Sequence, residues 1–225
     1  SAAECGASVS VVEKQREETK RWWGEQIGHF NSRFLIERGC GPYDEVEIVN
    51  EFVREGNYRV NPNLIAKYVF NSGEMFDHLI SLIPEDSTLL NEDQYNIHKP
   101  WGNPEYPIVV GGVKSWAGTV QFRGDIVTER PPEGKRIPSN TRLSEVIWFA
   151  MDRSRELGAK WYFQHGAVCL VQEGGAVKGV IAQNEKGEYV RFLGTKATVI
   201  ATGEVMGDIG ARLGLWAGGH YEVTP

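Results

Sequence analysis

Two adjacent charged residues, Glu13 and Lys14, follow a short apolar stretch near the start of the sequence. Residues 8–12 have the composition of a short buried strand, and α/β folds place ligand-binding groups where such strands end. In a dinucleotide-binding unit, an acidic residue at this point binds the ribose hydroxyls, about 20 residues after a glycine-rich turn. Counting back from Glu13 puts that turn before Ser1, so we expect the glycine loop to lie outside this sequence. An ordinary strand that happens to end in Glu-Lys is the alternative interpretation.

A second candidate cofactor contact lies near the end of the sequence. Residues 198–200 are β-branched and run into the small residues Ala201, Thr202 and Gly203. Small residues let the backbone approach a pyrophosphate or a flavin closely, because a larger side chain would hold it away. This stretch therefore predicts a buried strand that ends at a cofactor, and a plain strand-to-turn junction is the alternative.

The composition argues against several other classes of function. The formal net charge is −6 and Lys and Arg are not clustered, so we expect no nucleic-acid partner. No apolar run approaches the roughly 20 residues that a membrane-spanning helix needs, so we expect no membrane span. The three cysteines are far apart, which favours reduced thiols over a disulfide framework or a metal site. None of the five histidines stands in a pattern that identifies a catalytic group, and we name no catalytic residue.

The elements that would position these groups are helices followed by strands. Gly6 has the position of a helix C-cap before the first strand, and Asn61 with Pro62 has that of a helix N-cap. Gly174-Gly175 and Lys186-Gly187 stand where hairpin turns are expected. Apolar spacing predicts helices at 44–55, 62–84 and 142–157, and strands at 160–163, 167–172, 176–184, 189–193 and 197–200.

The segment 85–140 differs from the rest of the chain, because it is rich in proline and glycine. Its short β-rich pieces, at 108–110 and 119–122, predict an irregular α+β insertion or small lobe that is partly hairpin. We therefore predict one α/β domain from residues 1–84 and 141–225, with a β-rich meander near its end. A length of 225 residues suits one large domain, or one domain with a smaller lobe.

Taken together, these motifs resemble a known family. Residues 2–14, AAECGASVSVVEK, are similar to the second half of the FAD motif in flavoproteins of the fumarate reductase and succinate dehydrogenase type. The similarity continues at 166–171, 177–182 and 196–203, while 28–32 and 60–74 resemble flavoprotein subunits of anaerobic gut-type bacteria. The resemblance implies a Rossmann-like FAD-binding domain that is incomplete at both ends, with FAD as the cofactor of the intact protein.

The resemblance also assigns roles to individual residues. It implies that Glu13 binds the adenosine ribose, that Lys14 flanks it, and that the backbone of Val168 meets the adenine. In this family the catalytic arginine and the substrate-binding histidines come after the stretch represented here. The remaining contacts that it implies are Gly28, Asn31 and Ser32 along the flavin, and Ala201, Thr202 and Gly203 near the pyrophosphate or the ribityl chain.

One departure from the family pattern lies close to the end of the sequence. Residues 207–219 resemble a second glycine-rich element of the family, yet they follow Gly203 almost at once. Either a loop has been deleted there, or residues are missing from the sequence around 204–210. We favour missing residues.

The resemblance implies an oxidoreductase that reduces an activated carbon–carbon double bond in a small carboxylate or enone, with an electron-donor protein as a possible partner. One alternative is a flavin dehydrogenase that works in the opposite direction, for instance on a ketosteroid ring. Another is a non-catalytic α+β module that binds a partner. Because the loop that cradles the pyrophosphate is not in this sequence, we expect this stretch alone to be inactive and free of FAD. No segment identifies the compartment, whether bacterial cytoplasm or outside it.

Overall fold

The structure is a computed structural model that describes residues 2–18, 26–98, 107–110, 112–122 and 143–203. The described residues combine helices with parallel and antiparallel strand pairs, so the predicted α/β class is confirmed. The chain divides into two compact units, Ser1–Gly166 and Ala167–Pro225. The helices are α1 (Arg33–Ile36), α2 (Glu45–Glu55), α3 (Pro62–Ile80) and α4 (Leu143–Glu156). The strands are β1 (Ser10–Val12), β2 (Gln26–Gly28), β3 (Tyr95–His98), β4 (Ile108–Val110), β5 (Val113–Ser115), β6 (Thr119–Phe122), β7 (Lys160–Tyr162), β8 (His165–Glu173), β9 (Ala176–Asn184) and β10 (Tyr189–Leu193).

The chain enters β1 through a hydrogen-bonded turn at residues 2–6, where the sequence predicts the end of a helix. The Gly6 N–H donates to the Ala3 carbonyl at 2.9 Å, and the Ala7 N–H donates to the Ala2 carbonyl at 3.1 Å. With Gly6 at φ +77°, these two bonds form a Schellman C-cap, which needs a left-handed residue at that position. The predicted C-cap at Gly6 is confirmed.

The first strand pairs in parallel with β7, so that Ser10 lies beside Lys160 and Val12 beside Tyr162. Parallel pairing is the arrangement of a dinucleotide-binding domain, and this pair is the part of the predicted Rossmann-like sheet that the described residues contain. The strand begins two residues later than predicted. Val11 and Val12 are half-buried, so the prediction of a buried strand was wrong for the described residues.

The two longest early helices begin at the residues that their sequences indicate. The side chain of Asp44 accepts hydrogen bonds from the N–H groups of Val46 and Glu47 at the start of α2. Asn61 caps α3 in the same way, with Pro62 in its first turn, which confirms the predicted N-cap. This helix continues through Gly73 and ends at Ile80, four residues before the predicted end at Pro84.

The core of the first unit is built from segments that are far apart in the sequence. Strands β2 and β3 both pair antiparallel with β6, so residues before and after the boundary at 84 lie in one sheet. The division into 1–84 with 141–225 and an inserted 85–140 stays a prediction. Residues on both sides of the boundary at 84 contribute to the same core. That core contains Phe34, Leu35, Cys40, Phe76, Ile83, Leu89, Tyr95, Ala117, Val120, Phe122, Leu143 and Val146.

The second unit contains the predicted meander, in which β9 lies between β8 and β10. Both glycines of the turn between β8 and β9 have positive φ, +59° at Gly174 and +77° at Gly175, as a two-residue type I′ turn requires. Strands β9 and β10 have the bounds that were predicted, while β8 is longer than predicted. The prediction of a buried strand at 197–200 was wrong for the described residues, which give it no strand partner and leave Val199 84% exposed.

Candidate functional site

Glu13 lies at the carboxyl ends of two parallel strands, as its position in the sequence predicts. Its N–H donates to the Tyr162 carbonyl at 2.9 Å, and its own carbonyl accepts from the His165 N–H at 2.9 Å. The half-buried carboxylate accepts a hydrogen bond from the Gln15 N–H at 2.8 Å. A carboxylate accepts several hydrogen bonds at once, so this bond is compatible with binding ribose hydroxyls. The neighbouring Lys14 is exposed.

The residues that follow β7 form the other side of this edge. The Gln164 N–H donates to the Gln15 carbonyl at 3.0 Å, and Gln164 has a left-handed φ of +57°, which is uncommon outside glycine. His165 Nδ1 lies 2.6 Å from the Phe163 carbonyl, and its ring packs edge-on against Tyr162. Sequence analysis did not place these residues beside Glu13. Only the parallel pairing of β1 with β7 brings the two chain segments together.

A second group of predicted contacts lies in the loop 28–32, between β2 and α1. Gly28 and Asn31 are half-buried. Asn31 has φ +54°, a left-handed conformation that Asn tolerates better than most residues. Its side-chain amide donates to the Tyr43 carbonyl at 2.9 Å and accepts from the Tyr43 N–H at 2.8 Å. Asn31 therefore fixes the loop to the segment before α2.

Ser32 is completely buried, and its hydroxyl is hydrogen-bonded to other groups of the chain. As the N-cap of α1, its hydroxyl oxygen accepts a hydrogen bond from the Leu35 N–H at 3.0 Å. The same oxygen lies 2.9 Å from His29 Nε2. The contacts of Gly28, Asn31 and Ser32 with a flavin stay predictions. The structure shows that hydrogen bonds of the Asn31 and Ser32 side chains hold this loop.

His29 lies at the centre of this loop, and sequence analysis gave it no role. Its ring is completely buried and stacks on Phe76, with 3.7 Å between the ring centroids and 7° between the planes. Its Nδ1 lies 3.1 Å from the Ile27 carbonyl. Burial lowers the pKa of His29 to about 4, because a charged ring would lose its hydration there. The ring is therefore neutral at physiological pH.

Two glycines allow the chain to approach the loop 28–32 closely. A Cβ at Gly73 would lie 2.3 Å from the Phe30 carbonyl oxygen, and one at Gly118 would lie 2.7 Å from the His29 carbonyl oxygen. The Phe30 N–H also donates to the hydroxyl of Ser72 at 3.1 Å. A glycine inside a helix such as α3 ordinarily lowers the stability of the helix. The structure shows that the missing side chain of Gly73 makes room for the loop.

A separate group of charges joins α2 to β5. Glu51 accepts two hydrogen bonds from Arg54, at 2.5 and 2.9 Å, and a third from the Lys114 N–H at 2.6 Å. These bonds lower the pKa of Glu51 to about 2, and those from Arg54 have the largest effect. Lys114 Nζ also contacts Glu47. The surface depression beside this group has a volume of about 480 Å³ and is lined by none of the predicted cofactor-binding residues.

The predicted contacts in the second unit are exposed to solvent. Val168 on β8 is 56% exposed, and Ala201 and Thr202 are exposed in an irregular segment. Gly203 has φ +81°, a conformation that glycine adopts without strain. Their roles with adenine, pyrophosphate and ribityl chain stay predictions. The glycine-rich element at 207–219 and the junction at 204–210 lie outside the described residues.

The described residues contain neither a cluster of metal ligands nor a membrane-spanning helix. In that part of the chain, no three His, Cys, Asp or Glu side chains come together as a metal ion would require. Among the helices that the structure describes, none is both long enough and apolar enough to cross a membrane.

The comparisons with known proteins agree with the resemblance read from the sequence. Residues 1–213 match the family model described as FAD binding domain. The fold is similar to that of the 3-ketosteroid-Δ4-(5α)-dehydrogenase from Rhodococcus jostii RHA1 in complex with 4-androstene-3,17-dione, with a TM-score of 0.57 and 17% identity. It is also similar to the open conformation of a flavocytochrome c3 fumarate reductase, with a TM-score of 0.53 and 16% identity. A comparison with curated protein sequences gives no match.

Both of these solved structures are much longer than this chain. The dehydrogenase comparison covers 88% of this chain and 41% of the other, and the reductase comparison covers 84% and 28%. At such low identity the likeness to solved structures shows the fold alone, and this chain spans less than half of either protein. The family match, in contrast, covers nearly the whole chain. The chain therefore belongs to the FAD binding domain family, and its cofactor is FAD.

Proposed function

We propose that the complete protein uses FAD to reduce an activated carbon–carbon double bond in a small carboxylate or enone. The observation that carries this proposal is the family match over residues 1–213, joined to the sequence resemblance to flavoproteins of the fumarate reductase type. An electron-donor protein is the further partner that such a reaction calls for. The fold similarity to a fumarate reductase is consistent with the proposal.

The adenosine part of FAD fits the edge formed by β1 and β7. Glu13 presents a half-buried carboxylate at the carboxyl ends of two parallel strands, where α/β folds bind nucleotides. In our proposal this carboxylate accepts hydrogen bonds from the ribose hydroxyls, and Lys14 flanks it. Bound FAD would supply the two-electron redox chemistry, while the chain supplies binding and orientation.

The remaining predicted residues are proposed to bind the other parts of the cofactor. Val168 would contact the adenine through its backbone, and residues 201–203 would lie near the pyrophosphate or the ribityl chain. Gly28 and Asn31 would lie along the flavin. For Ser32 the proposed role is to shape the loop, because its hydroxyl is completely buried and already bonded within the chain.

The first test is the visible absorption spectrum of the complete gene product, recorded before and after denaturation in the dark. Stoichiometric release of FAD supports the proposal, and a colourless protein that also fails to bind added FAD contradicts it. The reaction is then tested without oxygen, by mixing chemically reduced protein with small unsaturated carboxylates and enones. Return of the oxidised flavin spectrum identifies the acceptor.

A dehydrogenase working in the opposite direction is the second candidate, and the fold similarity to a ketosteroid dehydrogenase is the observation that favours it. The visible absorption of the flavin also distinguishes a dehydrogenase from a reductase. A saturated ketosteroid should bleach the oxidised flavin of a dehydrogenase, whereas it should leave the flavin of a dedicated reductase unchanged. The third possibility, a binding module without catalysis, predicts no flavin affinity, and the match to the FAD binding domain family argues against it.

A further inference from the structure

The hydrogen bonds around His29 have a fixed direction. The Ile27 carbonyl can only accept, so His29 Nδ1 carries a hydrogen and donates across 3.1 Å. In the neutral ring Nε2 is then an acceptor, and it takes the hydroxyl hydrogen of Ser32 across 2.9 Å. The Ser32 oxygen in turn accepts from the Leu35 N–H at 3.0 Å. A continuous set of bonds therefore runs from α1 through both side chains to the end of β2.

The His29 ring packs in the interior of the first unit. Both His29 and Phe76 are completely buried, and the two rings are nearly parallel at 3.7 Å. The loop backbone lies so close to Gly73 and Gly118 that a Cβ at either glycine would clash. The ring is thus held by its stack on Phe76 and by its two hydrogen bonds, while close contact with the two glycines holds the backbone of the loop.

The charged and titratable groups near the ring come from the helices. Asp77 of α3 attracts a protonated His29 weakly, and its carboxylate accepts hydrogen bonds from the N–H groups of Arg33 and Phe34, at 2.7 and 3.1 Å. The Tyr68 hydroxyl lies 3.0 Å from the position that a Cβ at Gly28 would occupy. On the other side, β6 is preceded by the uncharged residues 116–118. Burial outweighs the attraction by Asp77, so the ring is neutral at physiological pH.

We propose that His29 is a positioning residue for FAD, whose two hydrogen bonds and ring stack hold residues 28–32 in the conformation that lies along the flavin. The completely buried ring acts through the loop and does not itself touch the cofactor. This inference rests on the proposed function, in which Gly28 and Asn31 line the flavin. Without the two bonds the loop populates other conformations, and the apparent affinity falls with the fraction that is competent to bind.

The test measures the affinity of the complete apoprotein for FAD by quenching of flavin fluorescence at neutral pH. His29→Phe keeps an aromatic ring against Phe76 and removes both hydrogen bonds. We expect it to raise the Kd for FAD about tenfold, the effect of losing hydrogen bonds of ordinary strength. His29→Asn retains a side-chain donor and should recover part of the affinity. His78→Phe is the matched control on an exposed histidine and should leave the Kd unchanged.

The outcomes show whether the positioning role, the proposed function or both fail. If His29→Phe is folded by circular dichroism and binds FAD as the wild type does, the positioning role is overturned while the proposed function stands. A lower thermal stability with unchanged affinity would likewise show a merely structural histidine. A wild-type protein that binds no FAD overturns both.

A second variant keeps the inference testable where His29→Phe does not fold. Ser32→Ala removes only the hydroxyl between His29 and Leu35, and leaves the imidazole in place. We expect it to raise the Kd for FAD about threefold, because it removes one of the two His29 bonds together with the bond from the Leu35 N–H. An unchanged Kd in the folded Ser32→Ala protein overturns the positioning role.

Discussion

The two units of the chain bury their residues to very different extents. In the first unit, helices and strands share core clusters in which side chains as large as Phe76 and Phe122 are completely buried. In the described residues of the second unit only Gly179 and Ala182 are buried, and apolar side chains such as Val168 are largely exposed. Contacts between distant segments therefore stabilise the first unit. The meander of the second depends on its turns and on the backbone bonds between neighbouring strands.

This difference predicts where single substitutions have large effects. In the first unit, adding or removing a few atoms changes a packed interior, and packed interiors do not deform freely. In the meander, most side chains face solvent, so a substitution acts mainly on the local backbone.

The largest effect is expected for Gly73→Ala. The new Cβ would lie 2.3 Å from the Phe30 carbonyl oxygen and 2.7 Å from the Ser32 nitrogen, and both are backbone atoms that cannot turn away. We expect the free energy of unfolding to fall by about 3 kcal/mol, as in other overpacked interiors. Urea denaturation measures the change. Gly166→Ala, whose Cβ would meet only the Lys14 side chain at 3.8 Å, is the control. Equal stability of the two variants would contradict the close packing.

Acid should weaken the first unit through His29. Burial lowers its pKa to about 4 in the folded protein, against 6.5 when unfolded, so between these values the unfolded chain binds a proton that the folded chain does not. The contribution of the neutral His29 to the free energy of unfolding is complete above pH 6.5. It is lost as the pH falls towards 4, at up to about 1.4 kcal/mol per pH unit. Denaturation curves of wild type and His29→Phe, compared from neutral pH downwards, measure it. If the difference in stability between wild type and His29→Phe did not change with pH, the ring would not be buried in its neutral form.

Glu51→Gln should produce a smaller loss with a different pH dependence. The bonds from Arg54 and from the Lys114 N–H lower the pKa of Glu51 to about 2, so the stabilisation is present above the ordinary value of 4.5 and is lost as the pH falls towards 2. At neutral pH the variant should therefore be less stable than wild type, and the gap should close in acid. Glu55→Gln on the same helix, with a more exposed carboxylate, is the control. A gap that does not depend on pH would contradict the assignment.

The smallest effect is expected for Gly175→Ala in the turn between β8 and β9. A Cβ at this residue meets nothing within 4 Å, so the only cost is the left-handed φ of +77°, about 1 kcal/mol. Asn accepts such a φ, and Gly175→Asn should behave nearly as wild type. Hydrogen exchange of the amides in β8 and β9 measures the local change. If exchange also accelerated throughout the first unit, the two units would not be independent in stability.

The sequence by itself determined the features that depend on neighbouring residues. The C-cap at Gly6, the N-cap at Asn61, and the bounds of β9 and β10 follow from local hydrogen bonds, turn residues and alternation over a few positions. The order of the motifs along the sequence likewise indicates the FAD-binding family. Glu13 could be placed at a strand end for the same reason, because a strand and the residue that ends it are contiguous.

The tertiary structure alone decided which of these elements meet. That β1 pairs with β7, that Gly73 receives the loop 28–32, and that His29 is an interior neutral ring all depend on contacts between segments distant in sequence. The stretch 197–200 has the pattern of a buried strand, yet it pairs with no strand among the described residues. A local pattern records what a segment can bury or bond. Which partner it meets depends on how the chain closes and packs around it.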